Sequence, residues 1–209
     1  MIKGTPELIA ERREEIVNAC EKLYLTMSFK DITLKEIGNA VTFSRPTIYN
    51  YFQTKEEIFL ALFKREYDRW NSDLEDILNG GEKPDGKRLA QLIARSLEKR
   101  PQLLKLLSMN NYDMEANSRE QILTSFKLSY GRSLSLMRQI LEKFRPDMDG
   151  GRISGFIYAF FPFMFGIYPY TSVTEKQRAA MKAAGVDYKY MSVYEITYEC
   201  ISGLLGAGR

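Results

Sequence analysis

TLKEIGNAVTFSRPTIYNYFQTKEEI, residues 33–58, contains two short helical patterns a few residues apart and the start of a much longer one. Thr33 and Glu36 have the T-x-x-E spacing of a capping box, which begins the first short helix. Ser44 is placed to cap the second short helix, which we predict to end near Tyr51. Helices of about seven residues are unstable alone because nucleation is costly, so both must pack on a neighbour.

Helical patterns on both sides of this stretch supply that neighbour. Upstream, Thr5 and Pro6 begin a first helix of about residues 7–27, in which apolar residues recur at helical spacing. Downstream, Thr54 and Glu57 form a second capping box that begins a long helix. The apolar side chains placed to pack the two short helices against the first are Ile32, Leu34, Ile37, Val41, Ile48 and Phe52. The pattern predicts a three-helix unit containing a helix-turn-helix.

The second short helix keeps a polar outer face once Ile48 and Phe52 point inward. The side chains on this face are of the kind that contact base edges in a major groove: Arg45, Pro46, Thr47, Asn50 and Tyr51. Flanking groups are placed to hold backbone phosphates: Thr33, Ser44, Tyr49 and Lys55. This pattern predicts DNA binding by the second short helix. The competing interpretation is the solvated face of an ordinary short helix.

Beyond the long helix, helical patterns continue to the end of the chain. Glycine- and proline-containing segments separate six further helical runs, at about residues 86–99, 101–112, 117–145, 152–168, 175–184 and 191–206. No alternating stretch is long enough to predict a strand. We therefore predict an all-α chain of about nine or ten helices. Its DNA-binding domain comprises residues 1–54 and its helical domain residues 55–209, with the helix that starts at residue 55 bridging the two.

Composition argues against catalysis, a metal site and a cofactor. The chain has no His, and its two cysteines, Cys20 and Cys200, stand far apart without metal-ligand spacing. An enzyme would have to use carboxylates or lysines that the sequence does not gather into a site. Two packed, reduced thiols are typical of a cytoplasmic protein. A net charge of +3 is too small to indicate a nucleic-acid partner by itself.

The segment ISGFIYAFFPFMFGIYPY, residues 153–170, has no charged residue and approaches the length of a membrane span. Pro162, Pro169 and the many aromatic residues are unlike a typical span, which is rich in Leu, Val and Ile. A helix that is apolar on nearly every side must be buried on nearly every side. We therefore predict a buried or interface helix and no membrane partner.

Residues 8–65 resemble the DNA-binding domain of the tetracycline-repressor-like (TetR) family. The matching features are the T-L-x-E-I run, Ser44 at the start of the second short helix, T-I-Y-x-Y-F at 47–52, and the K-E-E-I that begins the long helix. The chain departs from the family pattern with Ser28 in place of a Gly and with Tyr51 in place of a His. Val41-Thr42 replaces a common Ala-Gly pair, so we expect a different turn backbone or local strain.

The resemblance implies a C-terminal helical bundle that binds a small molecule and dimerises through its last two long helices. It also implies a homodimeric repressor of a palindromic operator, released by an apolar or aromatic effector. We predict that the effector pocket is lined by Phe63, Tyr67, Trp70, Met109, Tyr112, Phe126, Tyr130, Met137, Phe161 and Phe165. We predict that the dimer interface contains Phe156, Phe160, Phe163, Ile167, Tyr194, Tyr198, Ile201 and Leu205. The alternative is a helical ligand-binding or adaptor protein without specific DNA binding.

Overall fold

The computed structural model describes residues 5–81, 83–109 and 111–206, and the regular elements in these ranges are all helices. The all-α prediction is therefore confirmed. The eleven helices of the described ranges are α1 (Pro6–Thr26), α2 (Leu34–Asn39), α3 (Arg45–Ile48), α4 (Lys55–Asn79), α5 (Gly86–Glu98), α6 (Pro101–Leu107), α7 (Asn111–Ala116), α8 (Glu120–Phe144), α9 (Gly150–Thr171), α10 (Glu175–Ala183) and α11 (Val193–Leu205). The predicted run 101–112 divides into α6 and α7, which raises the number of helices above the prediction.

The chain forms two compact units. Unit 1 comprises Met1–Glu66 and Asn110–Tyr130, and unit 2 comprises Tyr67–Met109 and Gly131–Arg209. Helices α4 and α8 therefore each contribute residues to both units. The predicted domain boundary after residue 54 falls inside unit 1.

Unit 1 is built around the apolar sides of α1, α2 and α3. Ile32, Ile37, Ile48 and Phe52 are fully buried, as the helix-turn-helix pattern predicts. Phe59 on α4 meets two rings edge-on, with centroid distances of 5.2 Å to Tyr24 and 4.7 Å to Phe29. These contacts leave the opposite sides of α2 and α3 accessible to solvent.

Unit 2 has its own core, in which α11 packs against α5 and α9. Trp70 lies at the centre of this core, 5.8 Å from the ring of Phe161, and its indole N–H donates to Ser96 Oγ at 3.0 Å. Arg145 Nη1 donates to the Leu205 carbonyl at 2.8 Å and so satisfies a carbonyl at the end of α11. The chain then turns at Gly206, whose φ of 66° favours glycine.

Helix α9 is longer than the predicted run 152–168, because it begins at Gly150 and continues past Pro169 to Thr171. Pro162 and Pro169 both lie on its exposed side. Among the described helices, α9 is the one that is long and apolar enough to cross a membrane. It packs against α6 and α11 and buries Ile153, Phe156, Ile157, Phe160, Phe161, Met164 and Ile167. This packing agrees with the predicted buried or interface helix.

Candidate nucleic-acid interface

Helix α2 begins at the predicted cap. Thr33 Oγ1 accepts hydrogen bonds from the backbone N–H groups of Lys35 at 3.1 Å and Glu36 at 3.5 Å. The Thr33 hydroxyl donates to the Glu36 carboxylate, which lowers the pKa of Glu36 from its ordinary value. Thr33 and Glu36 are thus paired at the start of α2, as the T-x-x-E spacing predicts, and a hydrogen bond from the Thr33 backbone also lowers the pKa of Glu36.

The turn between α2 and α3 contains no left-handed residue, since no described residue other than glycine has a positive φ. The Thr42 backbone N–H donates to the Glu15 carboxylate on α1, and its hydrogen bonds lower the pKa of Glu15. The close approach of α2 and α3 depends instead on Gly38, where an added Cβ would lie 3.1 Å from Arg45 Cβ. The turn therefore has a different backbone and no left-handed strain at Thr42.

Helix α3 is one turn long and presents the predicted polar surface. Ser44 occupies the N-cap position, although its Oγ pairs with Thr47 Oγ1 at 2.9 Å instead of a backbone N–H. Tight turns then carry the chain to Tyr51, whose N–H donates to the Ile48 carbonyl at 2.9 Å. We call the accessible surface the α3 outer face; its members are Ser44, Arg45, Pro46, Thr47, Tyr49 and Asn50.

Tyr51 does not belong to this face. Only 5% of Tyr51 is exposed, and its ring lies beside Phe43 at a centroid distance of 6.4 Å. The prediction that Tyr51 presents a DNA-contacting side chain is therefore wrong. Burial of the ring makes Tyr51 part of the support beneath α3.

Lys55 also has a different role from the one predicted. Its ammonium donates to the carbonyls of Phe29 at 2.9 Å and Ile32 at 3.2 Å, and it lies 4.1 Å from the centroid of the Phe29 ring. These contacts hold the segment between α1 and α2. Two of the three N–H donors of the Lys55 ammonium are used in this structural role, and the predicted phosphate contact stays a prediction.

We expect Lys55→Met to lower the free energy of unfolding by about 1–2 kcal/mol, because two charge-assisted hydrogen bonds are lost. Chemical denaturation measures this change. Lys35→Met is the control, since Lys35 is exposed and the substitution should change stability by less than about 0.5 kcal/mol. Equal stability of Lys55→Met and the parent would contradict the structural role.

The sequence does not predict an ion pair beneath α3 that joins a buried carboxylate, Glu57, to a guanidinium that is 40% exposed, Arg119. Glu57 was predicted to complete a capping box with Thr54, and Thr54 Oγ1 does accept from the Glu57 backbone N–H at 3.2 Å. The fully buried Glu57 carboxylate, however, accepts from Gln53 N–H at 2.7 Å and from Arg119 Nε at 2.6 Å and Nη2 at 2.7 Å. Burial raises the pKa of Glu57, but these hydrogen bonds hold it below its ordinary value. No local pattern identifies Arg119, which lies 62 positions downstream.

The predicted pocket residues are distributed over both units. Those in unit 1 are Phe63, Tyr112, Phe126 and Tyr130; those in unit 2 are Tyr67, Trp70, Met109, Met137, Phe161 and Phe165. The prediction is wrong for Tyr112 and Phe165, which are 86% and 41% exposed and so do not line an enclosed space. The buried members are Phe63, Tyr67, Trp70, Phe126, Met137 and Phe161, and they form core contacts in the structure.

Two cavities in unit 2 have other linings. One, of about 270 Å³, lies between α4 and α5 and includes Asp73 and Arg95 in its wall. The second, of about 430 Å³, lies beside α10 and is lined mainly by apolar and aromatic side chains, including Tyr170, Met181 and Tyr188. Neither cavity is lined by any of the predicted pocket residues. The second has the size and character of a small-molecule site.

The predicted dimer interface is wrong for Phe156, Phe160, Ile167, Ile201 and Leu205, which are buried inside the subunit. A side chain that faces its own core is not available to a partner. Phe163, Tyr194 and Tyr198 remain partly exposed. The accessible side of α9, which we call the α9 outer face, consists of Gly155, Tyr158, Ala159, Pro162, Phe165 and Pro169.

The helix-turn-helix with an exposed polar outer face, followed by a helical domain, defines a class of helical regulatory proteins. A family model described as "Bacterial regulatory proteins, tetR family" matches residues 16–62. A second model, described as "Tetracyclin repressor-like, C-terminal domain", matches residues 64–191. The chain therefore belongs to the TetR family, as its motifs indicate.

Individual relatives are distant. The HTH-type transcriptional regulator HbdR of Aromatoleum sp. (strain CIB) is 28% identical over 75 residues, which span 36% of this chain and 33% of that protein. A putative TetR-family regulator from Mesorhizobium loti has a TM-score of 0.64 at 16% identity, covering 98% of each chain. Thermus thermophilus FadR in complex with lauroyl-CoA has a TM-score of 0.59 at 17% identity, covering 94% of this chain and 95% of FadR. These structural similarities establish the fold.

Proposed function

We propose that this protein is a ligand-responsive transcriptional repressor that binds a palindromic operator as a homodimer. The α3 outer face carries this proposal, because its six polar or contact residues, in α3 and directly beside it, are accessible while Ile48 and Phe52 are buried in unit 1. Membership of the TetR family supports the same function. Its place of action is the bacterial cytoplasm, where the DNA is accessible.

The α3 outer face offers two kinds of DNA contact. Arg45 and Asn50 have side chains that form paired hydrogen bonds with guanine and adenine, respectively, in a major groove. The hydroxyl groups of Ser44 and Tyr49 are suited to backbone phosphates, as is Thr33 at the start of α2. Pro46 and Thr47 add short side chains to the same surface. The face therefore combines base contacts with contacts that position the helix.

Selection of bound duplexes from a random DNA pool tests the proposal directly. We expect enrichment of an inverted repeat, with half-site centres about 34–36 Å apart or a multiple of that distance. The selection is run with and without lauroyl-CoA, so that DNA binding that requires a bound effector is also detected. A folded, dimeric protein that enriches no duplex in either selection contradicts the proposal and favours the adaptor alternative.

We expect Arg45→Ala and Asn50→Ala each to weaken operator binding by about 1–3 kcal/mol, chiefly at particular base pairs. Tyr49→Phe should instead weaken binding to all sequences, since a phosphate contact carries no sequence information. Fluorescence anisotropy with the selected duplex and its single-base variants measures both effects. Leu128→Ala, an exposed change on α8, serves as the control. Identical base preferences in all four variants and the parent would contradict these assignments.

A second copy of this chain is the proposed partner of the α9 outer face. Tyr158 is 80% exposed, and the face as a whole is apolar, which favours burial against another protein surface. In a two-fold dimer the same face of both copies meets, so an apolar stripe along one long helix is self-complementary. Helix α11, with its partly exposed Tyr194 and Tyr198, adds to the interface and completes four helices.

We propose a small apolar or aromatic effector, and acyl-CoA is the first compound class to test because FadR was solved with lauroyl-CoA. Trp70 is the only tryptophan of the chain and is buried in the core of unit 2, so its fluorescence is a local probe of that core. Release of DNA together with a change in Trp70 emission supports binding among the predicted pocket residues next to Trp70, which are Tyr67 and Phe161. Release without that change favours the cavity beside α10. If neither lauroyl-CoA nor a panel of aromatic compounds releases DNA, the effector proposal fails for those classes.

A further inference from the structure

The chain that follows α3 is held by a cluster of charged side chains. We call Glu57 and Arg119 the clamp; they bind the backbone of Tyr51 and Gln53, which forms the carboxyl end of the α3 segment. Arg119 Nη2 donates to the Tyr51 carbonyl at 3.2 Å, and the Glu57 carboxylate accepts from Gln53 N–H at 2.7 Å. Arg13 Nη1 donates to the same Tyr51 carbonyl at 3.3 Å. The clamp thus fixes both a donor and an acceptor of this backbone.

The geometry of the clamp is rigid. Arg119 Nε and Nη2 meet the two Glu57 carboxylate oxygens in a paired arrangement, and the Arg119 backbone N–H donates to Glu57 Oε1 at 3.1 Å. A bidentate pair between a guanidinium and a carboxylate restricts orientation as well as distance. Lysine does not reproduce this fork.

The clamp also holds the beginning of α8. Arg119 directly precedes α8, and its carbonyl accepts from the N–H groups of Ile122 at 3.0 Å and Leu123 at 3.1 Å in the first turn of that helix. A second link lies two residues earlier, where Thr54 Oγ1 donates to the Asn117 carbonyl at 3.0 Å. The start of α8 and the end of the α3 segment are therefore bound to each other within unit 1.

Helix α3 does not determine its own orientation, because it contains only the four residues Arg45–Ile48. So short a helix has almost no internal hydrogen-bond ladder, and its position depends on the groups that hold its ends. At the amino end, Gly38 allows the close contact of α2 with Arg45. At the carboxyl end, the clamp and Arg13 hold the backbone of Tyr51–Gln53, in addition to the hydrogen bonds that the Tyr51 and Phe52 N–H groups donate to the Ile48 carbonyl.

We propose that Arg119 is a positioning residue for DNA recognition, which aligns the α3 outer face through Glu57 and makes operator affinity depend on the first turn of α8. The DNA part of this proposal rests on the proposed function. The alignment itself is a property of the free protein. It follows that a displacement of the start of α8 is passed to Tyr51 and Gln53 through direct hydrogen bonds.

The test compares Arg119→Lys with a matched control, Arg65→Lys. Arg65 forms ion pairs of 3.1 Å with Glu14 and 2.7 Å with Glu21, also in unit 1, but it does not bind the α3 segment. Hydrogen exchange of the free, full-length protein is measured at the amides of 51–53. We expect exchange there to be about tenfold faster in Arg119→Lys than in Arg65→Lys or the parent.

Operator affinity is then measured for the same variants by anisotropy, with thermal unfolding to confirm that each is folded. Arg119→Lys should weaken operator binding by about tenfold, while Arg65→Lys should alter stability and leave affinity within about twofold. Glu57→Gln, which keeps the size of the side chain, is the second variant and should reproduce the faster exchange at Gln53. It keeps the test decisive if Arg119→Lys does not fold.

The proposal is overturned if Arg119→Lys and Glu57→Gln show parental exchange at 51–53, or if Arg65→Lys changes that exchange equally. It is also overturned if exchange is faster but operator affinity is unchanged. If the parent protein binds no duplex while the two variants still show faster exchange, the proposed function fails and the alignment by the clamp stands.

Discussion

Tyr158→Asp is expected to convert the protein to a monomer at micromolar concentration and to weaken binding to a palindromic duplex by about 100-fold or more. Tyr158 is 80% exposed on the α9 outer face, so the substitution leaves the core of the subunit intact. In the proposed dimer, by contrast, each new carboxylate is buried in an apolar contact, which is costly for an unpaired charge. A monomer reads a single half-site and loses the gain in affinity from linked binding.

Analytical ultracentrifugation measures the mass of the variant, and anisotropy measures its affinity for a full operator and a half-site. Leu128→Asp provides the control, because Leu128 is an exposed apolar residue on α8 in unit 1, outside the proposed interface. We expect the control to stay dimeric. A dimeric Tyr158→Asp would show that another surface holds the two copies together.

Trp70→Ala is expected to lower the free energy of unfolding by about 4 kcal/mol. Trp70 is fully buried, and its ring lies 6.3 Å from Tyr67 and 5.8 Å from Phe161, so truncation leaves a large cavity in unit 2. Loss of the hydrogen bond to Ser96 adds little to this decrease in the free energy of unfolding, since the Ser96 hydroxyl still donates to the Ile93 carbonyl at 2.8 Å.

Chemical denaturation followed by circular dichroism measures this change without the tryptophan signal. Trp70→Phe separates the two contributions, because it keeps most of the buried ring and removes only the N–H donor and part of the volume. We expect that variant to lose about 1–2 kcal/mol. A loss below about 1 kcal/mol in Trp70→Ala would mean that the core around Trp70 is loosely packed.

The helix-turn-helix was predictable because its signals are local. Thr33 begins α2, and the inward placement of Ile37, Ile48 and Phe52 follows from helical spacing alone. The contact between Gly38 and Arg45 in the structure was needed to show that Gly38, and not a glycine in the turn, allows α2 and α3 to approach. The residue at which α3 ends was also less predictable, because helix boundaries depend on turns that compete with the helix.

The exposed residues of the candidate site were predictable from the sequence, whereas the contacts of the residues that support them were not. The accessibility of Arg45, Tyr49 and Asn50 agrees with the prediction, since these residues alternate with the apolar positions of α3. The burial of Tyr51 and the carbonyl contacts of Lys55 depend on side chains from other segments. Residues with both an apolar body and a polar end fit either place, so local sequence does not choose between them.

Helix positions and the polar face of α3 follow from the sequence itself, because caps and periodicity involve residues within a few positions of one another. The pairing of Glu57 with Arg119 and the choice of which side of α9 is exposed require the tertiary structure. An ion pair across 62 positions has no local signal, and a helix that is apolar on nearly every side does not indicate which side faces the core. The ion pair and the exposed side of α9 both depend on the packing of the whole chain. A side chain is buried by residues that are distant in sequence and close together in the fold.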